Sequence, residues 1–552
     1  MPEWTELRDI ALEAREKSIP KQWLLPEDQL PPKDQLNVLD VARSSGILSA
    51  EELVMLDQDV AELLEAYKSK KWTVRQVVTA FLKNSVIVHQ LTNYATEFLA
   101  DEALARADEL DAHLASTGTL AGPLHGIPVS IKEQLTLAKR INHGGFVNLI
   151  ANPPPAEDAH LARLFRAAGA VLTVRTNIPQ SLMHLDCENN IYGRTRNPRH
   201  LLLSPGGSSG GEGVSIGARC AVLGIGTDIG GSVRAPAAFN ACYGLRPTAL
   251  RIPVLGHSGV AAGQESIRGV AGPLANSVEG LELWMRSVLE QEPWEYETSL
   301  MPVPWNKDVQ LGEFTVGVMW DDGELMRRET TSIVKPHPPV TRALKHAVDS
   351  LKAAGVKVVD WEPLDHQRGW DILAPLYFPD GGQRWLSAFS ATNEPILPLT
   401  QHALNFSLNT GKTPLSIADN WDLNYARETY RREHHLLMKA RGVDFILCPA
   451  YPGAGVLQGQ SRYWGYTSIW NILDLPAAVL PSGLAVDKAV DGGGAVEGYE
   501  GRNEMDREEV KAYDPELFHG FPIALQLVGK RFRDEDVLAA TKVLDTALKS
   551  KR

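Results

Sequence analysis

Two stretches of the chain share one plan: a helix with a single apolar stripe, an Ala-Ala-Gly stop and a β-rich run. They cover residues 161–174 and 340–359. In the second stretch the apolar stripe recurs at helical spacing, at Val340, Leu344, Ala347 and Leu351. Gly355 then ends the helix, as glycine commonly does. Helix–strand units of this kind are typical of folds in which helices cover both faces of a sheet. The sequence therefore predicts an α/β protein.

The 552 residues contain no Pro-, Gly- or Ser-rich linker that would divide them and no repeat of fixed period. We therefore expect one domain over residues 1–552. Near the start, apolar residues recur at helical spacing: Trp4, Leu7, Ile10, Ala11 and Ala14. This pattern predicts an N-terminal helical segment, at about residues 1–75, that packs on the body of the domain.

Charge and apolar content disfavour several classes of protein. Acidic residues outnumber basic ones by 68 to 55, so the net charge of -13 offers no positive surface for nucleic acid or anionic lipid. No apolar run is long enough for a transmembrane helix, and residues 1–25 lack a signal-peptide core. We expect a cytoplasmic protein that binds no nucleic acid and does not span a membrane.

The four cysteines show neither metal-ligand spacing nor a disulfide framework: Cys187, Cys220, Cys242 and Cys448. They are expected to be reduced residues of the core. No cofactor motif accompanies them, so the predicted chemistry uses no metal and no cofactor.

Residues 204–248 carry many glycines packed around several serines. Glycine allows the close approaches that loops presenting N–H groups to a ligand require. A phosphate loop needs Lys followed by Ser or Thr after its last glycine, but here the glycines run into Glu212. A dinucleotide fingerprint also fails, because Gly224, Gly226 and Gly230 have the wrong spacing. Nucleotide binding is therefore disfavoured.

One pattern in this stretch fits another class of enzyme. Residues 206–210 formally match the G-x-S-x-G elbow of α/β-hydrolases, with Ser208 as nucleophile and a histidine as its base. A five-residue pattern matches easily by chance, so a histidine-based esterase is kept as an alternative. His125 and His184 lie near the motif blocks, but lone histidines are usually structural.

Three sequence motifs, taken together, are far more specific than this five-residue pattern. They read GIPVSIK at residues 126–132, GGSSGG at 206–211 and GTDIGGSVR at 226–234. The chain resembles the amidase signature family, in which such blocks occur in this order. Through the Glu212-Gly213 pair it is most similar to fungal general amidases, acetamidases and fatty acid amide hydrolases. The resemblance spans nearly the whole chain and implies a single α/β/α domain built on a large, twisted, mixed sheet.

The resemblance implies a Ser-Ser-Lys triad. Ser232 would be the nucleophile, Ser208 would relay protons after a cis peptide bond, and Lys132 would be the terminal base. A serine hydroxyl needs a base within reach, and a lysine acts as one only when neutral, which burial favours. In the predicted strand Ser130 and Lys132 would share one face. Ser209, Asp228 and Arg234 are expected to support the site structurally.

The developing oxyanion would be held by the backbone N–H groups of four residues: Ile229, Gly230, Gly231 and Ser232. By resemblance, Leu182 and Met183 would line the acyl pocket, and Thr227 would lie beside the donor loop. The C-terminal aromatic residues Trp464, Tyr466 and Trp470 either cap this pocket or belong to the core.

The predicted function is hydrolysis of carboxamides, with small aliphatic or aryl primary amides foremost, to an acid and ammonia through an acyl-serine. Two alternatives share the family chemistry: a glutamine-hydrolysing amidotransferase subunit, and an amide hydrolase for fatty-acid or indole-acetamide substrates. A non-catalytic protein on the same scaffold is disfavoured, because all three triad residues are present. The expected partner is a small-molecule amide; the sequence leaves the oligomeric state open, with a homodimer as one option.

Overall fold

The computed structural model describes residues 2–323, 334–408, 414–492 and 499–550. Eleven of its strands form one sheet in the order β1-β3-β2-β6-β8-β7-β12-β13-β11-β9-β10. The strands are β1 Ala95–Phe98, β2 Pro128–Lys132, β3 Val171–Thr176, β4 Glu188–Asn189, β5 Gly193–Arg194, β6 Leu223–Asp228, β7 Tyr243–Arg246, β8 Val270–Ala275, β9 Thr315–Val318, β10 Lys357–Asp360, β11 Phe445–Pro449, β12 Ala477–Ala485 and β13 Pro522–Val528. Strand β2 runs parallel to β3 and β6, and β9 runs parallel to β10 and β11. The other pairs are antiparallel, so the predicted mixed sheet is confirmed.

Helices flank this sheet. They are α1 Trp4–Ser18, α2 Val41–Ser44, α3 Ala50–Asp57, α4 Val60–Lys68, α5 Val74–Thr92, α6 Ala100–Thr117, α7 His160–Ala167, α8 Gly210–Gly217, α9 Arg234–Phe239, α10 Val278–Leu289, α11 Pro338–Ala353, α12 His366–Tyr377, α13 Gln383–Ser390, α14 Pro398–Leu408, α15 Ile417–Ala440, α16 Gly465–Leu473, α17 Lys488–Asp491, α18 Glu504–Ala512 and α19 Asp534–Lys549. In the described part of the chain, none of them is long and apolar enough to cross a bilayer.

The sheet separates two hydrophobic cores. Successive side chains of a strand point to opposite faces. On β12, Ala478 and Leu480 belong to one core, whereas Ala477 and Val479 belong to the other. Helices α5, α10, α11 and α19 contribute to the first core, and α9, α12, α15 and α16 contribute to the second. The predicted arrangement of helices on both faces of the sheet is therefore confirmed.

Both predicted helix–strand units are present. The stop at Gly169 (φ +92°) separates α7 from β3, and the stop at Gly355 (φ +80°) separates α11 from β10. All six residues of β3 are buried in the sheet interior, whereas β10 is an edge strand whose end residues are exposed. The same local pattern thus produced strands in two different environments.

The N-terminal helix α1 contacts β1 and residues 147–151. Leu7 and Ala11 are buried with Val147 and Ile150. Ile10 was expected in the same apolar stripe but is 51% exposed. The organisation as a single domain stays a prediction. All four cysteines are free and buried, as expected.

Candidate active site

Strand β2 positions Lys132 at the end of the buried sheet. Val129 and Ile131 point into the first core, so Ser130 and Lys132 share the opposite face, as the sequence predicted. Lys132 is fully buried. Its Nζ lies 2.8 Å from Ser208 Oγ and 2.7 Å from Thr227 Oγ1. In the described part of the chain it makes no ion pair.

Burial changes the acid–base behaviour of Lys132. Loss of solvation lowers its pKa from the ordinary value to about 7, although the carboxylates of Asp228, Glu212 and Glu133 act in the opposite direction. Burial also raises the pKa of Glu212, to about 7, while Ser130 and Thr176 donate hydrogen bonds to its carboxylate. A large fraction of Lys132 is therefore neutral near pH 7.

The loop before α8 brings Ser208 against Lys132. The Gly207–Ser208 peptide bond is cis, as the resemblance implied. Gly207 is required by close packing, because a Cβ there would collide with the backbone oxygen of Asp186. Asp186 accepts hydrogen bonds from the Ser204 hydroxyl and from the Gly459 N–H. These bonds hold the segment before Ser208 in place.

Ser209 ties the two glycine-rich blocks together. Its N–H donates to the Ser232 carbonyl over 3.2 Å. Its hydroxyl donates to the Thr227 carbonyl and accepts from the Thr227 N–H, both over 3.2 Å. Ser232, at the turn between β6 and α9, is thereby held beside the loop that carries Ser208.

The peptide groups of the turn are fixed through their carbonyls. Tyr377 Oη donates to the Ile229 carbonyl over 2.9 Å, and the Ala235 N–H donates to the Gly231 carbonyl over 2.8 Å. The N–H of a trans peptide points away from its own carbonyl. These bonds therefore direct the N–H groups of Gly230 and Ser232 away from Tyr377 and α9.

One of the four expected oxyanion donors is already occupied. The Gly231 N–H donates to Asp228 Oδ1 over 2.9 Å, and Thr467 Oγ1 donates to the Gly230 carbonyl over 2.6 Å. Gly231 has φ +129°, and a Cβ there would collide with Thr467 Oγ1. The expectation that Gly231 donates to the substrate is thus corrected: its peptide group braces the turn instead.

Asp228 and Arg234 support the turn from inside the core. Both are fully buried, and their charged groups lie 3.0 Å apart. Burial alone would raise the pKa of Asp228, but the Arg234 guanidinium and hydrogen bonds from Arg234 and Asn471 hold it well below its usual range. Asp228 also accepts the N–H groups of Gly231 and Val233. The pair therefore joins the two ends of the turn through buried hydrogen bonds.

A cavity of about 480 Å³ opens at the turn. Ser208, Thr227 and Ser232 lie in its wall, together with Leu182 and Met183. Its volume is within the range of small-molecule sites. The cavity thus adjoins the candidate triad residues and the turn that carries the N–H groups.

Comparisons with known proteins identify the family of the chain. A profile of the family described as Amidase matches residues 76–538. The chain belongs to the amidase family. Acetamidases of Emericella nidulans and Aspergillus oryzae are 37% and 35% identical to it; the alignments cover 98% of this chain and 97% and 98% of those proteins. A solved structure named fatty acid amide hydrolase matches with a TM-score of 0.93 and 38% identity, over 99% of this chain and 95% of that one.

Membership of the amidase family identifies the chain as a hydrolase that acts on amide bonds. The sequence prediction of family, fold and enzyme class is therefore confirmed. Within the described residues, no hydrogen bond joins a histidine to Ser208 or Ser232; burial lowers the pKa of His184 to about 3 and that of His125 to about 4. The geometry does not favour the histidine-based alternative.

Sequence reasoning missed several cavity residues of the amidase. Gln134 follows β2, Phe146 and Trp385 come from distant segments, and residues 254–264 form much of one wall. Only Gln134 could have been suspected, since it lies two residues after Lys132. The three C-terminal aromatic residues are buried in the second core behind the turn, so the core alternative is correct for Trp464, Tyr466 and Trp470.

Proposed function

We propose that this amidase hydrolyses amides by attack of Ser232 on the amide carbonyl, with Lys132 as base and Ser208 as proton relay. The observation that carries the proposal is the 2.8 Å contact between the fully buried Lys132 Nζ and Ser208 Oγ, in the wall of the cavity that Ser232 also faces. A pKa near 7 gives the neutral amine that the base requires.

The proposed cycle conserves its protons. As Ser232 Oγ bonds to the carbonyl carbon, its proton passes to Ser208, and the Ser208 proton passes to Lys132. Reversal of this transfer protonates the leaving nitrogen, so that ammonia or an amine departs and acyl-Ser232 remains. Water, activated through the same relay, then hydrolyses the ester.

We assign the oxyanion site to the N–H groups of Ile229, Gly230 and Ser232. The fixed carbonyls of the turn support this assignment for Gly230 and Ser232, because they hold those N–H groups in place before the reaction. Donors that need no reorganisation are the ones that stabilise a transition state most strongly.

For the substrate, we propose amides whose acyl group is apolar, either aryl or alkyl. Leu182, Met183, Phe146 and Trp385 give the cavity an apolar lining. Acetamide would leave most of the 480 Å³ filled with water, so the volume favours the larger members of the predicted class. The structural relative named fatty acid amide hydrolase supports an alkyl chain as the second candidate.

The test is release of ammonia by the purified chain from acetamide, benzamide, indole-3-acetamide, glutamine and a long-chain fatty amide. We expect kcat/KM to be higher for the three apolar amides than for acetamide or glutamine. Ser232→Ala should abolish turnover of every substrate and prevent labelling by a fluorophosphonate. Exclusive turnover of glutamine in the presence of a partner would favour the amidotransferase alternative instead.

The control separates chemistry from folding. Ser299→Ala removes another hydroxyl from the cavity wall, and Ser116→Ala removes one from the exposed end of α6. Labelling of Ser116→Ala at the wild-type rate, with none in Ser232→Ala, would support the assignment. Labelling of Ser208 in place of Ser232 would overturn it.

A further inference from the structure

Gln134 lies in the cavity wall and is joined to the proposed base through one hydroxyl. Thr227 Oγ1 donates to Gln134 Oε1 over 2.8 Å and lies 2.7 Å from Lys132 Nζ. The three side chains come from different places: Lys132 ends β2, Gln134 follows it by two residues, and Thr227 is in β6. Together they form a series of hydrogen-bonded contacts that ends at Ser208.

The number of protons on these groups determines which of them donates in each hydrogen bond. A hydroxyl has one proton to donate. Since the Thr227 proton is committed to Gln134, Thr227 can only accept from Lys132. A neutral lysine amine has two N–H groups and one lone pair. With one N–H directed to Thr227, the lone pair is free to face Ser208 Oγ, 2.8 Å away.

We propose that Gln134 is a positioning residue, which orients the Thr227 hydroxyl and thereby keeps the lone pair of Lys132 available to Ser208. This inference rests on the proposed triad and adds to it a residue outside the three sequence blocks. Without the Gln134 acceptor, the Thr227 hydroxyl would turn its proton towards the Lys132 amine. It would then compete with Ser208 for the one lone pair.

The surroundings of Thr227 leave its side chain little other freedom. The backbone of Thr227 is held on both its N–H and its carbonyl by the Ser209 hydroxyl. The residue is buried, with 8% of its surface exposed. Gln134 is therefore the group that decides between the two orientations of the Thr227 hydroxyl.

The first experiment removes the acceptor. Gln134→Leu should lower kcat/KM for benzamide and the rate of fluorophosphonate labelling by about five- to tenfold, the effect of one competing hydrogen bond. The matched control is Gln291→Leu, since the half-buried Gln291 amide donates to the carbonyls of Leu164 and Ser287, outside the cavity wall. Thermal unfolding of each variant checks that the fold is kept.

A double-mutant cycle tests whether Gln134 acts through Thr227. Thr227→Val removes the hydroxyl and keeps the branched shape. In that background Gln134→Leu should change the labelling rate by less than about twofold, because no hydroxyl remains to be oriented. An equal loss in both backgrounds would overturn the proposal, as would wild-type rates for Gln134→Leu.

The pH profile of a conservative variant gives the second readout. Gln134→Glu keeps an acceptor for Thr227 but adds a carboxylate beside Lys132, which already faces Asp228, Glu212, Glu133, Cys187 and His257. The added charge favours the ammonium form, so activity should fall near pH 7 and return to the wild-type plateau at higher pH. Gln134→Leu should stay low across the same range.

The controls distinguish the two proposals. Full activity of Ser232→Ala would overturn the proposed function, and the inference with it. An inactive Ser232→Ala together with a Gln134→Glu profile that never recovers at high pH would overturn the inference alone.

Discussion

Lys132 and Arg234 are both fully buried basic residues near Asp228, and their surroundings differ sharply. The guanidinium of Arg234 uses all five of its N–H groups. It donates two to Asp228, and the other three go to the Thr467 carbonyl, Gln526 Oε1 and Asn471 Oδ1. Lys132 is placed against two hydroxyls and, among the described residues, has no ion-pair partner.

The difference explains how one small region can hold a permanent charge and a titratable one. A buried charge that is paired and fully hydrogen-bonded keeps its proton, whereas one without a counter-ion loses it readily. Asp228 serves both residues, since it pairs with Arg234 and its field raises the pKa of Lys132 against the effect of burial. The paired cation braces the turn, and the unpaired side chain is the one that we propose as the base.

The largest expected effect is on catalysis at the unpaired cation. Lys132→Met should lower kcat by about 10²- to 10⁴-fold, the usual contribution of a general base. It should leave the free energy of unfolding at pH 7 unchanged or higher, because an apolar side chain of similar length replaces a buried amine. Steady-state kinetics and urea unfolding of the same preparation measure both quantities. Retention of wild-type kcat would remove Lys132 from the mechanism.

The paired cation should give the opposite result. Arg234→Met leaves the Asp228 carboxylate buried without its counter-ion and should cost about 3–5 kcal/mol of unfolding free energy. The double variant Asp228→Asn, Arg234→Met should lose less than the sum of the two single changes, because neither charge is then stranded. Urea unfolding measures each value. A loss under about 1 kcal/mol for Arg234→Met would break the comparison.

Much of this arrangement could be read from the sequence. The blocks at residues 126–132, 206–211 and 226–234 identified the residues that meet at the site, and strand alternation gave the direction of Lys132 correctly. The helix–strand units at 161–174 and 340–359 predicted the fold class. Their identical plans could not reveal that β3 has a neighbour on each side and β10 is at the edge, because strand order depends on long-range pairing.

Other features depended on contacts that no local pattern contains. The Gly231 N–H was expected to face the substrate, but it donates to Asp228, three residues earlier in the chain. The contact of Gln134 with Thr227, on which its proposed positioning role rests, exists only because β6 places Thr227 beside Lys132. The cavity wall at residues 254–264 carries no motif, so its contribution could be found only from the folded chain.

The smallest expected effect sharpens the comparison through the pH dependence of stability. The pKa of Lys132 is about 7 in the folded state and 10.5 in its ordinary state. Between these values the unfolded chain binds more protons than the native one, so the contribution of Lys132 makes the free energy of unfolding rise with pH by at most about 1.4 kcal/mol per unit. Below about pH 7 both states are protonated at this residue, and its contribution no longer depends on pH.

Urea unfolding of wild type and Lys132→Met at pH 6, 7, 8 and 9 measures the contribution of Lys132 as the difference in unfolding free energy between the two proteins. That difference should be flat up to pH 7 and should shift in favour of wild type above it; a constant difference over the whole range would mean that Lys132 keeps its charge in the folded protein.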